Sequence, residues 1–213
     1  MSPAPICACG HDHSDQYPDQ SLGVDIFSKI DIEKVICLNE KICGSGRDII
    51  MPICKWDRLT IDNESKNLTS VSSDLDNDLM FQIPFFETVK VRSILLYESE
   101  LQFRPKTMKI FKNRPGLSFD EVGFGAEQEI NLPLRYNRYI NIPIKTARFS
   151  NVNHLTLYFV DSIDREQICL EFIGFLGEEM NVSRTGIAVT NYEVTPNLAD
   201  HDLRFLEKNA RLI

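Results

Sequence analysis

Two thiols and two imidazoles fall within seven residues near the start of the chain, Cys7-Ala8-Cys9-Gly10-His11-Asp12-His13. Thiolates with imidazoles are the ligand set of a tetrahedral zinc site. In extended backbone residues i and i+2 share a face. Cys7 then converges with Cys9 and His11 with His13, and Gly10 permits the turn that folds one pair towards the other. Asp12 and Asp15 are placed to accept hydrogen bonds from ligand imidazoles. Against this, structural zinc sites usually draw their pairs from separated segments, and four ligands in so short a loop are cramped. Two readings stand at this point: a zinc-binding tail, and a tail whose thiols and imidazoles hold no metal.

Other chemistry finds little foothold. No Gly-x-x-x-x-Gly-Lys-Ser/Thr run is present, and Gly44-Ser45-Gly46 and Gly123-Phe124-Gly125 lack the strand–turn–helix setting that makes a phosphate cradle. A serine nucleophile needs a base within hydrogen-bond reach, usually histidine. The chain has four histidines, of which His11 and His13 sit in the tail and His154 opens a strand, where packing or surface exposure is its ordinary role. Cys169, in ICLEF, reads as a small core hydrophobe. Asp120-Glu121 and Glu178-Glu179 are neighbours in sequence, and neighbouring strand residues point to opposite faces. They form no shared acid–base pair by themselves. No Cys-x-x-Cys pair occurs, so the simplest thioredoxin-type redox motif is absent. The sequence points away from an enzyme.

Charge offers a different candidate. Residues 1–88 carry a net −8, residues 89–148 a net +5 and residues 149–213 a net −5. Arg104, Lys106, Lys109, Lys112 and Arg114 crowd the basic middle segment. Gathered into one patch they would meet an acidic protein partner and steer its approach. The alternative is a basic face turned towards solvent and its own acidic neighbours. The chain as a whole has a formal charge of −8. That balance argues against binding nucleic acid, whose affinity rests on neutralising phosphates, and against docking on anionic lipid.

The elements that must position these groups are strands. Leu79, Phe81, Ile83 and Phe85 alternate with Met80, Gln82 and Pro84, the period-2 mark of a half-buried strand. Val89–Tyr97 is dense enough in apolar residues to be buried on both faces. Further runs fall at Met108–Phe111, Ile130–Leu134, Ile142–Ile144, Leu155–Val160, Ile168–Phe172 and Ile187–Val189. Gly174 and Gly177, like Arg114-Pro115-Gly116, read as connections. Residues 57–78, rich in Asp and Asn, read as a long surface connection. About eight short strands with turn signals between them predict an all-β sandwich or jelly roll. At 43% hydrophobic over 213 residues, the chain can bury a core without disulfides. The opening residues lack the charged and apolar regions of a signal peptide, no apolar run reaches membrane-span length, and most of the six cysteines are expected as free thiols in a reducing compartment.

Five blocks carry a family resemblance: SDLDNDLMFQIPF at 73–85, MKIFKNRPGLSFDE at 108–121, RFSNVNHLTLYF at 148–159, GFLGE at 174–178 and NYEVTPNLADH at 191–201. In that order they resemble the PITH domain, which in one branch of its family follows a thioredoxin domain in the proteasome-interacting thioredoxins. The resemblance spans residues 22–202, flanked by a Cys/His-bearing tail at 1–21 and a C-terminal tail at 203–213. It implies a galactose-binding-like jelly-roll β-sandwich with flexible tails, non-enzymatic association with the proteasome regulatory particle, and a cytoplasmic and nuclear location. Glu121 stands where the family usually has a second Asp in SFDD, and keeps the charge. The alternatives are a β-sandwich that binds a carbohydrate or other ligand, with Trp56 as the single tryptophan, and a zinc-binding adaptor built on the N-terminal tail.

Overall fold

The alternation of Leu79 to Phe85 opens a strand far longer than the pattern alone marks out. In the computed structural model, which describes residues 23–61, 69–98, 101–123, 125–133, 139–162 and 167–180, the chain runs through β1 (Val24–Asp25), β2 (Ile36–Leu38), α1 (Ser45–Asp48), α2 (Ile53–Ile61), β3 (Val71–Ser72), β4 (Asp78–Tyr97), β5 (Pro105–Lys112), β6 (Gln128–Asn131), β7 (Ile140–Pro143), β8 (Val152–Ser162), β9 (Cys169–Leu170) and β10 (Phe172–Glu179). Every pairing among these named strands is antiparallel.

β4 belongs to both layers of the sandwich. Its first half, residues 78–84, pairs with β2 on one side and β8 on the other. Its second half pairs with β10 and β7. Between the halves the ladder with β8 jumps from Pro84↔His154 to Val89↔Val152, so extra residues of β4 bulge out and bend the strand. The first layer is therefore β2-β4-β8-β5-β6 and the second β1-β10-β4-β7, with β4 as the shared corner.

The core lies between the layers. Leu79, Phe81 and Ile83 of β4, Leu155, Leu157 and Phe159 of β8, and Met108 and Ile110 of β5 meet Ile94, Leu96, Ile173 and Phe175 from the other side, and all of these are buried. The rings of Phe81 and Phe159 meet edge-on, with centroids 5.8 Å apart. Such a contact adds about 0.5–1.5 kcal/mol to what burial alone contributes.

Each layer has its outward face covered, and this is where sequence and structure part. On the second layer, α2 lays Ile53 and Trp56 against Leu95, Phe172 and Leu176. Trp56 stacks on Phe172 at 4.8 Å, nearly parallel. Asp25 secures the start of this helix, accepting hydrogen bonds from Phe27 N and Ile53 N, each at 2.9 Å. The surface connection expected over 57–78 is interrupted, since residues 57–61 belong to α2, where Leu59 packs on the same cluster, and Val71–Ser72 forms β3. Gly174 and Gly177 are likewise not connections but lie inside β10. The Phe172 ring occupies the space a side chain at 174 would need, and a Cβ at 177 would collide with the Lys90 carbonyl. The run from Ile168 to Phe172 divides at Glu171 into β9 and β10.

Candidate partner-binding surface

β5 alternates as a strand must. Met108 and Ile110 point into the core, while Lys109 and Phe111 point outward. The five basic residues of this segment consequently do not share one face. Arg104 is only 7% exposed and forms an ion pair with Glu98, itself 1% exposed. The Tyr97 hydroxyl beside them has its pKa pushed up, first by burial and then by the charges of Glu171 and Glu98. At the other end of β5, Arg114 donates to the Gly125 carbonyl at 2.6 Å and to Glu127 at 3.2 Å, and its guanidinium lies 5.6 Å from the centre of the Phe111 ring. The Lys112 ammonium binds the carbonyls of Arg148 and Ser150 at 3.0 and 2.8 Å. Lys109 stands in register with Tyr158 on one side and Glu129 on the other. Lys106 is half-buried near the start of the strand.

A more ordered feature covers the outward face of the first layer. The chain leaving β5 folds back over Met80, Phe111 and Tyr158 and buries Leu117 and Val122 on them. Two contacts from Gln82 hold it there: its amide donates to the Leu117 carbonyl at 2.9 Å and its oxygen accepts from Gly116 N at 3.3 Å. Ser118 and Glu121 close a capping box around the short helical turn Phe119–Glu121. Its reciprocal bonds satisfy amides that would otherwise lack partners. Phe119 rests its ring edge-on against Tyr158 at 6.0 Å.

Tyr158 ties this roof to a second pinned turn. Its hydroxyl donates to Asp78 Oδ2 at 3.2 Å. Burial, reinforced by the negative charge of Asp78, pushes the tyrosine pKa to about 12. Asp78 is itself pushed up by burial, an effect opposed by the hydrogen bonds from Tyr158 and Asn39. Asn39 Nδ2 donates to the carbonyls of Asp76 and Asp78 and to the Asp78 carboxylate, at 3.1, 2.8 and 3.0 Å, while its Oδ1 accepts from Leu75 N at 3.2 Å. Asn39 holds φ at 65°, a left-handed conformation that asparagine tolerates better than most residues. On the far side, Asn77 receives the amides of Asp161 and Ser162. The turn from Asp74 to Asp78 is thereby fastened to β2, β4 and β8 with Leu75 at its tip.

The chemistry-bearing residues singled out in the sequence stand apart. His154 faces outward opposite Pro84, and burial lowers its pKa. The Cys37 thiol is driven upward by burial and by Glu40, so it is a poor nucleophile. Among the described residues no group of three or more His, Cys, Asp or Glu is placed to hold a metal ion. Cys7, Cys9, His11 and His13 lie outside the described residues. Sequence reasoning missed Asn39 and the roof over β8. Asn39 carried no signal of its own, and the Asp- and Asn-rich run at 74–78 read only as part of a surface connection.

Comparison with known proteins agrees with this architecture. The PITH domain family matches residues 16–196. The chain is similar to PITH domain-containing protein 1 of Xenopus laevis, with 35% identity over 195 residues that cover 92% of this chain and 89% of that protein. It is similar also to PITH domain-containing protein 1 of Homo sapiens, at 31% identity with the same coverage. Among solved structures, the CBM32-1, CBM32-2 and M60 catalytic domains of Clostridium perfringens ZmpB align with 71% of this chain at a TM-score of 0.50 and 14% identity, and this chain spans 14% of that one. A family 89 glycoside hydrolase from the same organism aligns with 74% of this chain at a TM-score of 0.50 and 11% identity, again over a small share, 15%, of its own length. At these identities the likeness is one of fold: a β-sandwich of the galactose-binding-like kind.

Proposed function

Because the chain belongs to the PITH domain family, we propose that it is a non-enzymatic binding module that associates with the regulatory particle of the proteasome, in cytoplasm and nucleus. The observation that carries this reading is the family match over residues 16–196, which takes in both pinned turns of the outward face. The surface supports a binding role, since the fold spends its hydrogen bonds on holding loops that present Phe119 and Leu75 to solvent. The sugar-binding alternative has less support. Carbohydrate sites usually offer an exposed aromatic platform, and Trp56 is 1% exposed, on the inner face of α2 against Phe172 and Tyr97. No helix among the described residues is long and apolar enough to cross a membrane.

The test is retention from a native extract on the immobilised chain, with bound proteins identified by mass spectrometry. Enrichment of regulatory-particle subunits over a core-disrupted control is the expected result. Failure to enrich any of them would remove the proposal.

A further inference from the structure

Two exposed apolar tips are linked by one chain of contacts. Leu75 is 85% exposed and Phe119 36%. They are joined through the framework described above: the Phe119 ring on Tyr158, Tyr158 on Asp78, and Asn39 between Asp78 and the Leu75 amide. Large apolar side chains held out in water by a built framework mark a contact surface. Because the turn is already fastened, little conformational freedom is lost when it docks.

The charge around these tips is mainly negative. Asp74, Asp76, Asp120, Glu121 and Asp161 are all exposed. Among the described residues no salt bridge reaches any of the five, whereas Glu33, Glu87, Glu127, Glu178 and Glu179 are each paired with Lys or Arg. Lys109, beside Tyr158, faces Glu129 across its own strand pair. No salt bridge joins Lys109 to Glu129, but one lysine against five unpaired carboxylates leaves the charge on this side mainly negative.

We propose that this surface docks a protein segment in which Lys or Arg residues flank an apolar side chain. The apolar residue would pack on Leu75 and Phe119, and the basic residues would meet the carboxylates around them. The inference rests on the reading of the chain as a binding module and adds the chemistry of the partner. It also reverses the sense expected from the basic segment, two of whose five charges are matched by carboxylates internally.

A random dodecamer peptide library displayed on phage, selected on the full chain, reads the partner chemistry directly. Enriched peptides should carry basic residues around Leu, Ile or Phe, and should bind Leu75→Ser at least about tenfold more weakly, the loss expected for a contact-surface anchor. The combined Asp74→Lys, Asp76→Lys, Asp120→Lys variant should also lose binding, and raised salt should weaken the wild type. Phe86→Ser, exposed at the bend of β4, should bind normally, and urea midpoints confirm that each variant folds. Enrichment of acidic or purely apolar peptides, or equal binding by wild type and Leu75→Ser, overturns the proposal. Purified regulatory particle in the same assay separates the two claims. No binding to wild type rejects the proteasome reading while the peptides still decide the surface. Equal binding of the particle to wild type and to the Leu75→Ser and lysine variants rejects the surface.

Discussion

Replacing Asn39 tests whether the turn at 74–78 is held as the geometry implies. Its side chain makes four hydrogen bonds, two of them part-buried contacts with Asp78. Bonds at the exposed end are largely replaced by water. Taking the two part-buried ones at about 1 kcal/mol each gives a loss of about 2 kcal/mol. Asn39 also sits at φ 65°, where a Cβ without a polar side chain to compensate costs about 1 kcal/mol more. Asn39→Ala should therefore destabilise the protein by about 3 kcal/mol. Asn39→Gly relieves the backbone but loses the same bonds, and should be milder by about 0.5–1 kcal/mol after the greater freedom of glycine in the unfolded chain is counted. Urea unfolding, with a slope of about 2–3 kcal/mol/M, would show a midpoint lower by about 1–1.5 M for the alanine variant. Losses below about 0.5 kcal/mol in both variants would refute the pinning. An equal loss in the two would leave the bonds but refute the backbone argument.

Three further outcomes are expected. Phe81→Ala and Phe159→Ala, each fully buried, should cost about 3–5 kcal/mol by chemical denaturation, and losses in the surface range of about 0.5 kcal/mol would place them on the wrong face. Burial holds the Asp25 carboxyl above its ordinary value near 3.8, despite the amides of Phe27 and Ile53 pulling it down. The native state thus binds that proton more tightly than the unfolded chain, so its contribution is full below the ordinary value and is lost as pH rises through the native one. The stability of wild type relative to Asp25→Asn should accordingly shrink as pH rises above the ordinary carboxylate value, and a difference that grows with pH would show the sign to be wrong. We propose that the N-terminal tail binds zinc through Cys7, Cys9, His11 and His13. Elemental analysis of protein purified without a His tag should find metal that the variant Cys7→Ser, Cys9→Ser, His11→Ala, His13→Ala lacks, and equal, negligible zinc in both would eliminate the site.

The strands were legible because their core side chains recur at every second residue, although Met80, Gln82, Thr156 and Tyr158 between them are buried as well and the strands are not half-buried as expected. Leu79, Phe81, Ile83, Leu155, Leu157 and Phe159 all point where their alternation says. The helix α2 was not, since its apolar stripe is short, Ile53, Trp56 and the partly buried Leu59 among polar neighbours. Glycine misled at 174 and 177, where a close ring and a bulge require it inside a strand. Charge misled more. A run of basic residues in sequence says nothing about which carboxylate waits beside each in space, and Glu98 and Glu127 neutralise Arg104 and Arg114 only because the turns at either end of β5 bring them there. The pinned turn was invisible for the same reason: Asn39 and Leu75 are 36 residues apart, and only pairing of β2 with β4 brings them together.

The central claim is that this chain binds the proteasome regulatory particle directly. Co-sedimentation of the two purified components through a glycerol gradient tests it without help from other proteins. The account predicts that the 24.4 kDa chain moves from the top of the gradient into the regulatory-particle fractions and leaves them again at high salt. A chain that stays at the top at every particle concentration and every salt concentration would contradict it.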